Sequence, residues 1–271
     1  MISRKFLIIT MLLAIPLLCA GSGSAEQKAA RRESGPQVEA PAVLMWAADF
    51  LSQVKQFSVS IRAGYDVLQK TGQKIEFNEL RNVTLARPDR MRVDVEQSDG
   101  DRTLILFDGE KITVSDPEQK TYAIADGPGD VDHAILFFLN DLRLKFPLAM
   151  MFVTKLPSEL ESRVRSVSFV ERDDTMDVPC IHLAARTDEV DFQIWIPSQD
   201  APLPRRVVIT YKNEPGQPQF RADFSNWNLS PNLPQGFFTF TPPGDARQIP
   251  FLAQVKAAKA GVREAEKGGR K

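Results

Sequence analysis

Cys180 and His182 form the pair whose types and spacing most suggest chemistry. At i and i+2 on an extended segment they point to the same face, close enough to share a metal or to make a thiolate–imidazole pair. A metal would need a third and a fourth ligand, and His133 is the only other histidine in the chain. A buried thiol beside a hydrogen-bonded histidine satisfies the same pattern. The acids of Glu171-Arg172-Asp173-Asp174-Thr175-Met176-Asp177 suggest a cation loop, but they lack the alternating ligands, central Gly and closing Glu of a calcium loop. A solvated hairpin turn accounts for them. Glu159 and Glu161 sit two apart in a helical turn and do not face each other, which makes a poor acid–base pair.

Other catalytic signatures do not emerge. In Gly127-Pro128-Gly129 the proline removes a backbone donor that a phosphate cradle needs. There is no Gly-x-Ser-x-Gly elbow, and two histidines leave few candidates for a triad base. No motif asks for a cofactor or a metal, and the chain reads as non-catalytic. The second group of candidates is apolar: Leu136, Phe137, Phe138, Met150, Met151 and Phe152 crowd one segment, and Trp195 stands between Ile194 and Ile196. Such side chains offer adaptable surface to an alkyl chain, methionine especially. Core packing explains each of them singly as well.

These residues need elements to position them. Residues 43–55 place Leu44, Ala47, Ala48, Leu51 and Val54 at helical spacing. From Phe57 to Tyr65 apolar residues fall on every second position, as in a strand with one dry face. Further strands are predicted at 73–86, 90–97, 102–108, 111–116 and 120–125. Their connections hold Arg87-Pro88-Asp89, Asp99-Gly100, Asp108-Gly109 and Asp116-Pro117, which favour tight antiparallel turns. Alternation stops over Val131–Phe152, where Pro147 predicts two short helices meeting near it, with a third helical turn at 158–163. It resumes in 164–171, 179–186, 190–197, 204–212 and 219–228. The fold class is therefore mainly β (α+β), an antiparallel sheet of about eleven strands with short α-helices before and halfway along it. A sheet that long must curl and cover its edges. The helices then either roof an apolar cavity or complete a solid core.

Length and composition set the compartment. The chain has 271 residues, 43% hydrophobic and 25% charged, with a net charge of -1, which is ordinary for a globular protein and advertises no nucleic-acid partner. Arg4 and Lys5 precede an apolar run, Phe6–Leu18, followed by small residues to Ala25, the pattern of a cleavable signal peptide cut after Ala25. The run is too short, and interrupted by Pro16, for a membrane anchor. Cys19 lies where a lipoprotein signal carries its lipidated cysteine, but Leu18 before it is too bulky for that processing. The mature chain, without a transmembrane segment, would reside in the periplasm and keep Cys180 alone, so no internal disulfide is expected. Residues 26–42 read as a flexible leader, 43–252 as the domain, and 253–271 as a basic tail, frayed or binding an anionic lipid or polymer.

Several stretches together carry a resemblance: Arg87-Pro88-Asp89-Arg90-Met91-Arg92-Val93, Phe107-Asp108-Gly109-Glu110-Lys111, Asp191-Phe192-Gln193-Ile194-Trp195-Ile196, Leu203 to Tyr211, Trp227-Asn228 and Phe238 to Gly244. With them the chain resembles an uncharacterised family of predicted bacterial periplasmic proteins grouped with the LolA/LolB lipoprotein-localisation carriers. The resemblance implies an unclosed antiparallel β-barrel lidded by helices, holding acyl chains in an apolar cavity. It carries no functional position over residue by residue. The same motifs have structural uses: Asp108-Gly109 turns a hairpin, Arg87-Pro88-Asp89 ends a strand, and Pro242-Pro243-Gly244 stops the last one. The function expected is a carrier of a lipid or lipoprotein acyl chain; the alternative is an envelope interaction module with a filled core and a protein partner.

Overall fold

A computed structural model of the chain describes residues 39–127, 129–140 and 147–251. The expected signal peptide with Cys19, the leader up to residue 38, Pro128, residues 141–146 and the basic tail lie outside the described residues.

The first element is α1 (Ala40–Gln53), which starts earlier than the spacing predicts because Pro41 suits a first turn, where amides have no intrahelical acceptor to lose. Its buried stripe is Leu44, Ala47, Ala48 and Leu51. Six strands follow: β1 (Gln56–Leu68), β2 (Lys74–Ala86), β3 (Arg90–Gln97), β4 (Arg102–Phe107), β5 (Lys111–Asp116) and β6 (Thr121–Asp126). The predicted turn chemistry is visible at Asp108-Gly109. Asp108 Oδ1 accepts the amides of Glu110 and Lys111 at 3.0 and 2.8 Å, and Gly109 takes φ 94°, a value costly for any residue with a Cβ. Next come α2 (Val131–Asn140), a 3₁₀ turn (Ala149–Phe152) and α3 (Leu156–Arg163). The second strand series is β7 (Ser166–Asp173), β8 (Cys180–Arg186), β9 (Asp191–Pro197), β10 (Arg206–Thr210) and β11 (Gln219–Asn228). A two-residue β12 (Arg247–Gln248) ends it.

All twelve strands form one sheet, in the order β12-β6-β5-β4-β3-β2-β1-β11-β10-β9-β8-β7. The pairing is antiparallel throughout except β12, which lies parallel to β6. Two meanders, β1–β6 and β7–β11, are joined by the pairing of their first and last strands, β1 with β11. The end strands β7 and β12 do not pair with each other, so the sheet is an open half-barrel. One expectation fails. Pro242-Pro243-Gly244 does not stop a strand: β11 ends at Asn228, and the proline-rich stretch after it is irregular, lacking the amide donors a ladder needs.

This order explains where the helices go. β6 and β7 lie toward opposite ends of the sheet, so the chain between them must cross its whole width. It crosses one face. Val131, Ala134, Ile135, Phe138, Phe152 and Val153 share a single core with the alternate residues Phe57, Val59, Ile61 and Ala63 of β1. Phe57 and Phe152, both fully buried, meet with ring centroids 5.6 Å apart. Each such side chain contributes about 1.5–3 kcal/mol of burial. No described helix is long and apolar enough to cross a membrane.

Candidate functional site

The helices do not fill the concave face. Between α1, α3, the 147–151 segment and strands β9 and β10 lies a cavity of about 330 Å³. α1 contributes Leu44, Ala47, Ala48 and Leu51, residues at i, i+3, i+4 and i+7 on one helical stripe. β9 contributes Phe192 and Ile194, and β10 contributes Val207 and Ile209, alternate positions on the concave face. Leu156 and Leu160 of α3 and Pro147–Met151 complete the wall, with Val190, Pro204 and Tyr211 at its margins. Every lining side chain is apolar apart from the Tyr211 hydroxyl. Two small side chains, Ala47 and Ala48, face the space where larger ones would have closed it. Leu148 is held at φ 72°, a left-handed conformation that costs a leucine about 1–2 kcal/mol, and it breaks the chain's course beside the cavity.

Two buried arginines fasten this roof. Arg87, at the end of β2, donates from Nε to the Val54 carbonyl after α1 (3.0 Å) and from Nη2 to the Phe152 carbonyl (2.8 Å). Its Nη1 stands 3.5 Å from Asp132 of α2, whose carboxylate also accepts the Thr154 amide at 2.9 Å. Burial lowers the Arg87 pKa, against the pull of Asp132 and Asp130. Arg81, facing inward from β2, donates to Glu79 at 2.6 Å and to the Pro147 carbonyl at 3.1 Å. Burial lowers its pKa too, with Glu79 opposing.

The residues expected at the site are distributed as follows. Met150 and Met151 line the cavity, half-buried. Leu136, Phe137 and Phe138 sit on α2, away from the lining; Leu136 is 38% exposed, Phe137 half-buried and Phe138 buried. Phe152 is fully buried against Phe57. Trp195 lies on the other face of the sheet, in a small cluster with Cys180 and Val208 that Met176 and Val178 cover. Its indole donates to Asp173 at 3.0 Å, and it stacks on His182 with centroids 3.9 Å apart. The α1 stripe was readable as a helix face, although its role as a cavity wall was not. The inward arginines gave no sequence signal.

Cys180 and His182 do share a face, without forming a thiolate–imidazole pair. The thiol donates to the Val178 carbonyl at 3.3 Å, and burial followed by Asp177 pushes its pKa up to about 11. His182 Nε2 meets Gln193 Oε1 at 3.0 Å, and Nδ1 lies 3.5 Å from Glu171 without a hydrogen bond. Among the described residues no three His, Cys, Asp or Glu side chains are grouped to hold a metal.

Residues 40–252 match the family model described as "Predicted periplasmic protein (DUF2092)". The chain belongs to this family. The compartment in the DUF2092 description is the one that residues 1–25 predict. No curated protein matches the sequence. Among solved structures, this DUF2092 chain is similar to MucB, at 17% identity and a TM-score of 0.40 over 76% of this chain and 64% of that one. It therefore spans less than two thirds of MucB. It is also similar to the Mycobacterium tuberculosis lipoprotein LppX (13% identity, TM-score 0.45, covering 71% and 96%). A LolA superfamily protein from Nitrosomonas europaea is a third likeness (11% identity, TM-score 0.37, covering 75% and 99%).

Proposed function

We propose that this protein is a non-catalytic carrier that holds a lipid or a lipoprotein acyl chain in the cavity beneath α1 and α3. The observation that carries the reading is the lining itself: eighteen residues from helices, an irregular segment and two strands, with one hydroxyl among them. Its volume of about 330 Å³ falls at the lower end of the ligand-pocket range, roughly 300–1,000 Å³. The resemblance to a periplasmic family grouped with the lipoprotein-localisation carriers points the same way. Nothing at Cys180 and His182 competes with it, because the thiol is held protonated and apart from the imidazole.

Protein purified from the periplasm should release lipid on solvent extraction and show ligand-bound masses under native spray. The stripped protein should take up the apolar dye 1-N-phenylnaphthylamine and gain thermal stability from it. Ala48→Phe, which places a ring in the cavity, should weaken dye binding at least about tenfold while the protein stays folded, since a phenyl displaces ligand contact worth about 2 kcal/mol. A folded wild type that carries no lipid and takes up no dye would refute the carrier reading.

One observation favours a second reading. β7 ends the sheet with no strand on its outer side, and Phe169 and Val170 on it are 41% and 47% exposed. An envelope protein adding a strand there would make this a docking module. Co-purification of such a partner, abolished by Val170→Pro, with no lipid in the cavity, would decide for it.

A further inference from the structure

Pro147 and Tyr211 stand at one margin of the apolar cavity. Both residues also line a second cavity of about 540 Å³, whose character is different. Its remaining walls are Tyr65 and Asp66 of β1, Glu79 and Arg81 of β2, and Glu214, Pro218, Gln219 and Phe220 where the chain turns from β10 into β11. An apolar chamber and a polar one therefore adjoin along two shared side chains. We propose that the polar chamber seats the head of the molecule whose tail occupies the apolar one, and that it selects an uncharged, hydroxyl- or amide-bearing head over an anionic one. This inference rests on the carrier reading above and goes beyond it by naming the ligand class.

Charge is the first argument. Three carboxylates line the chamber, Asp66, Glu79 and Glu214, against one cation, Arg81. Arg81 is already engaged: Nε and Nη2 face the Glu79 carboxylate, and Nη1 donates to the Pro147 carbonyl. Arg221 compensates Asp66 from outside the lining, at 2.9 Å. Among the described residues, an entering carboxylate or phosphate would meet an excess of negative charge and no arginine without a carboxylate partner. At separations of 5–6 Å near a protein surface, one uncompensated like charge weakens binding roughly tenfold or more.

Hydrogen bonding is the second argument. Neither the Tyr65 nor the Tyr211 hydroxyl has a hydrogen-bond partner among the described residues. Burial raises both phenol pKa values, so each stays protonated at neutral pH, able to donate and to accept. A glycerol hydroxyl, an ester or an amide matches that capacity.

The test compares three amphiphiles with the same sixteen-carbon chain at pH 7.5: 1-palmitoylglycerol, palmitate and hexadecyltrimethylammonium. Each displaces 1-N-phenylnaphthylamine from the full chain. 1-Palmitoylglycerol should bind about tenfold or more tighter than palmitate, with the gap narrowing as salt rises. Tyr65→Phe, which lies outside the apolar lining, should lose about threefold or more affinity for 1-palmitoylglycerol and none for the dye, whose binding also reports that the variant is folded. Palmitate binding as tightly as the glyceride, the ammonium binding more weakly than palmitate, or a Tyr65→Phe variant with unchanged glyceride affinity would each overturn the head-group inference and leave the carrier reading standing. A wild type that binds neither dye nor any amphiphile would overturn both.

Discussion

Replacing Arg87 with methionine keeps the apolar stem and deletes the guanidinium, which isolates what that group does for the roof. Three contacts disappear at once: the hydrogen bonds to the Val54 and Phe152 carbonyls and the ion pair with Asp132. The two side chains are only 7% and 13% exposed, so water does not readily replace what is lost. Removing one partner of a buried pair costs about 3–5 kcal/mol. Two offsets apply. Asp132 retains the amide and hydroxyl of Thr154, and the guanidinium's own desolvation, visible in its lowered pKa, is no longer incurred. A net loss of about 3 kcal/mol is expected, measured by urea unfolding followed through tryptophan fluorescence. Asp132→Asn in both backgrounds completes a cycle whose coupling should be about 1–3 kcal/mol. Because Arg87 joins α1, α2 and the 3₁₀ turn to the sheet, amide exchange should accelerate in those elements more than in β4 and β5. A loss below about 1 kcal/mol with unchanged exchange in the helices would refute the claim that this guanidinium holds the roof.

Two further outcomes follow from the electrostatics. With its thiol pKa raised to about 11, Cys180 is about one part in a thousand thiolate at pH 8, and it is 1% exposed. Alkylation by iodoacetamide at pH 8 should therefore be at least about a hundredfold slower in the native protein than in urea. Burial alone would raise the Asp66 carboxyl, but the Arg221 guanidinium and the Gln219 amide outweigh it and hold its pKa below the ordinary value. Its stabilising contribution is complete above the unfolded-state pKa near 3.9 and fades as pH falls through the lower folded one. Asp66→Asn should cost about 1–3 kcal/mol at pH 7, and its deficit against wild type should shrink in urea titrations below about pH 4.

What the sequence made legible was local. The alternation from Phe57 to Tyr65 and the stripe Leu44, Ala47, Ala48, Leu51 are set by neighbours a few residues apart, and both reappear as β1 and α1. The antiparallel sheet was also legible, from eleven strand signals with short turns, whereas its form as an open half-barrel was implied by the family resemblance. The face of a side chain in a strand buried on both sides was not. In β9, Ile194 and Trp195 are both buried, and only the return of the Met176–Val178 loop makes the Trp195 side a second, smaller cluster. The arginines were hidden for a different reason. Charged side chains are expected at the surface, and Arg87 follows a strand as an ordinary turn residue would. Its partners Val54, Asp132 and Phe152 are 33, 45 and 65 positions away, so no local pattern marks it.

The cavity comes from the same long-range constraint. Because β6 and β7 lie toward opposite ends of the sheet, the segment between them has to cross from one to the other over a span of eleven strands, with three short helical pieces among its described residues. One apolar gap lies where Ala47 and Ala48 line the same cavity as Phe192, Ile194 and Val207. The cavity opens partly to solvent, so the penalty for a closed, dry void, about 24 cal/mol per Å³ or roughly 8 kcal/mol at 330 Å³, is an upper bound on the cost of leaving it empty. Water offers little relief against a lining with a single hydroxyl, since a buried water needs two or more polar partners. Leucine in place of either alanine would have reduced the void with an ordinary helix-forming side chain. A wall that remains small and apolar at that cost fits the carrier proposed above, in which an apolar occupant would restore the missing contacts and couple the stability of the roof to the ligand beneath it.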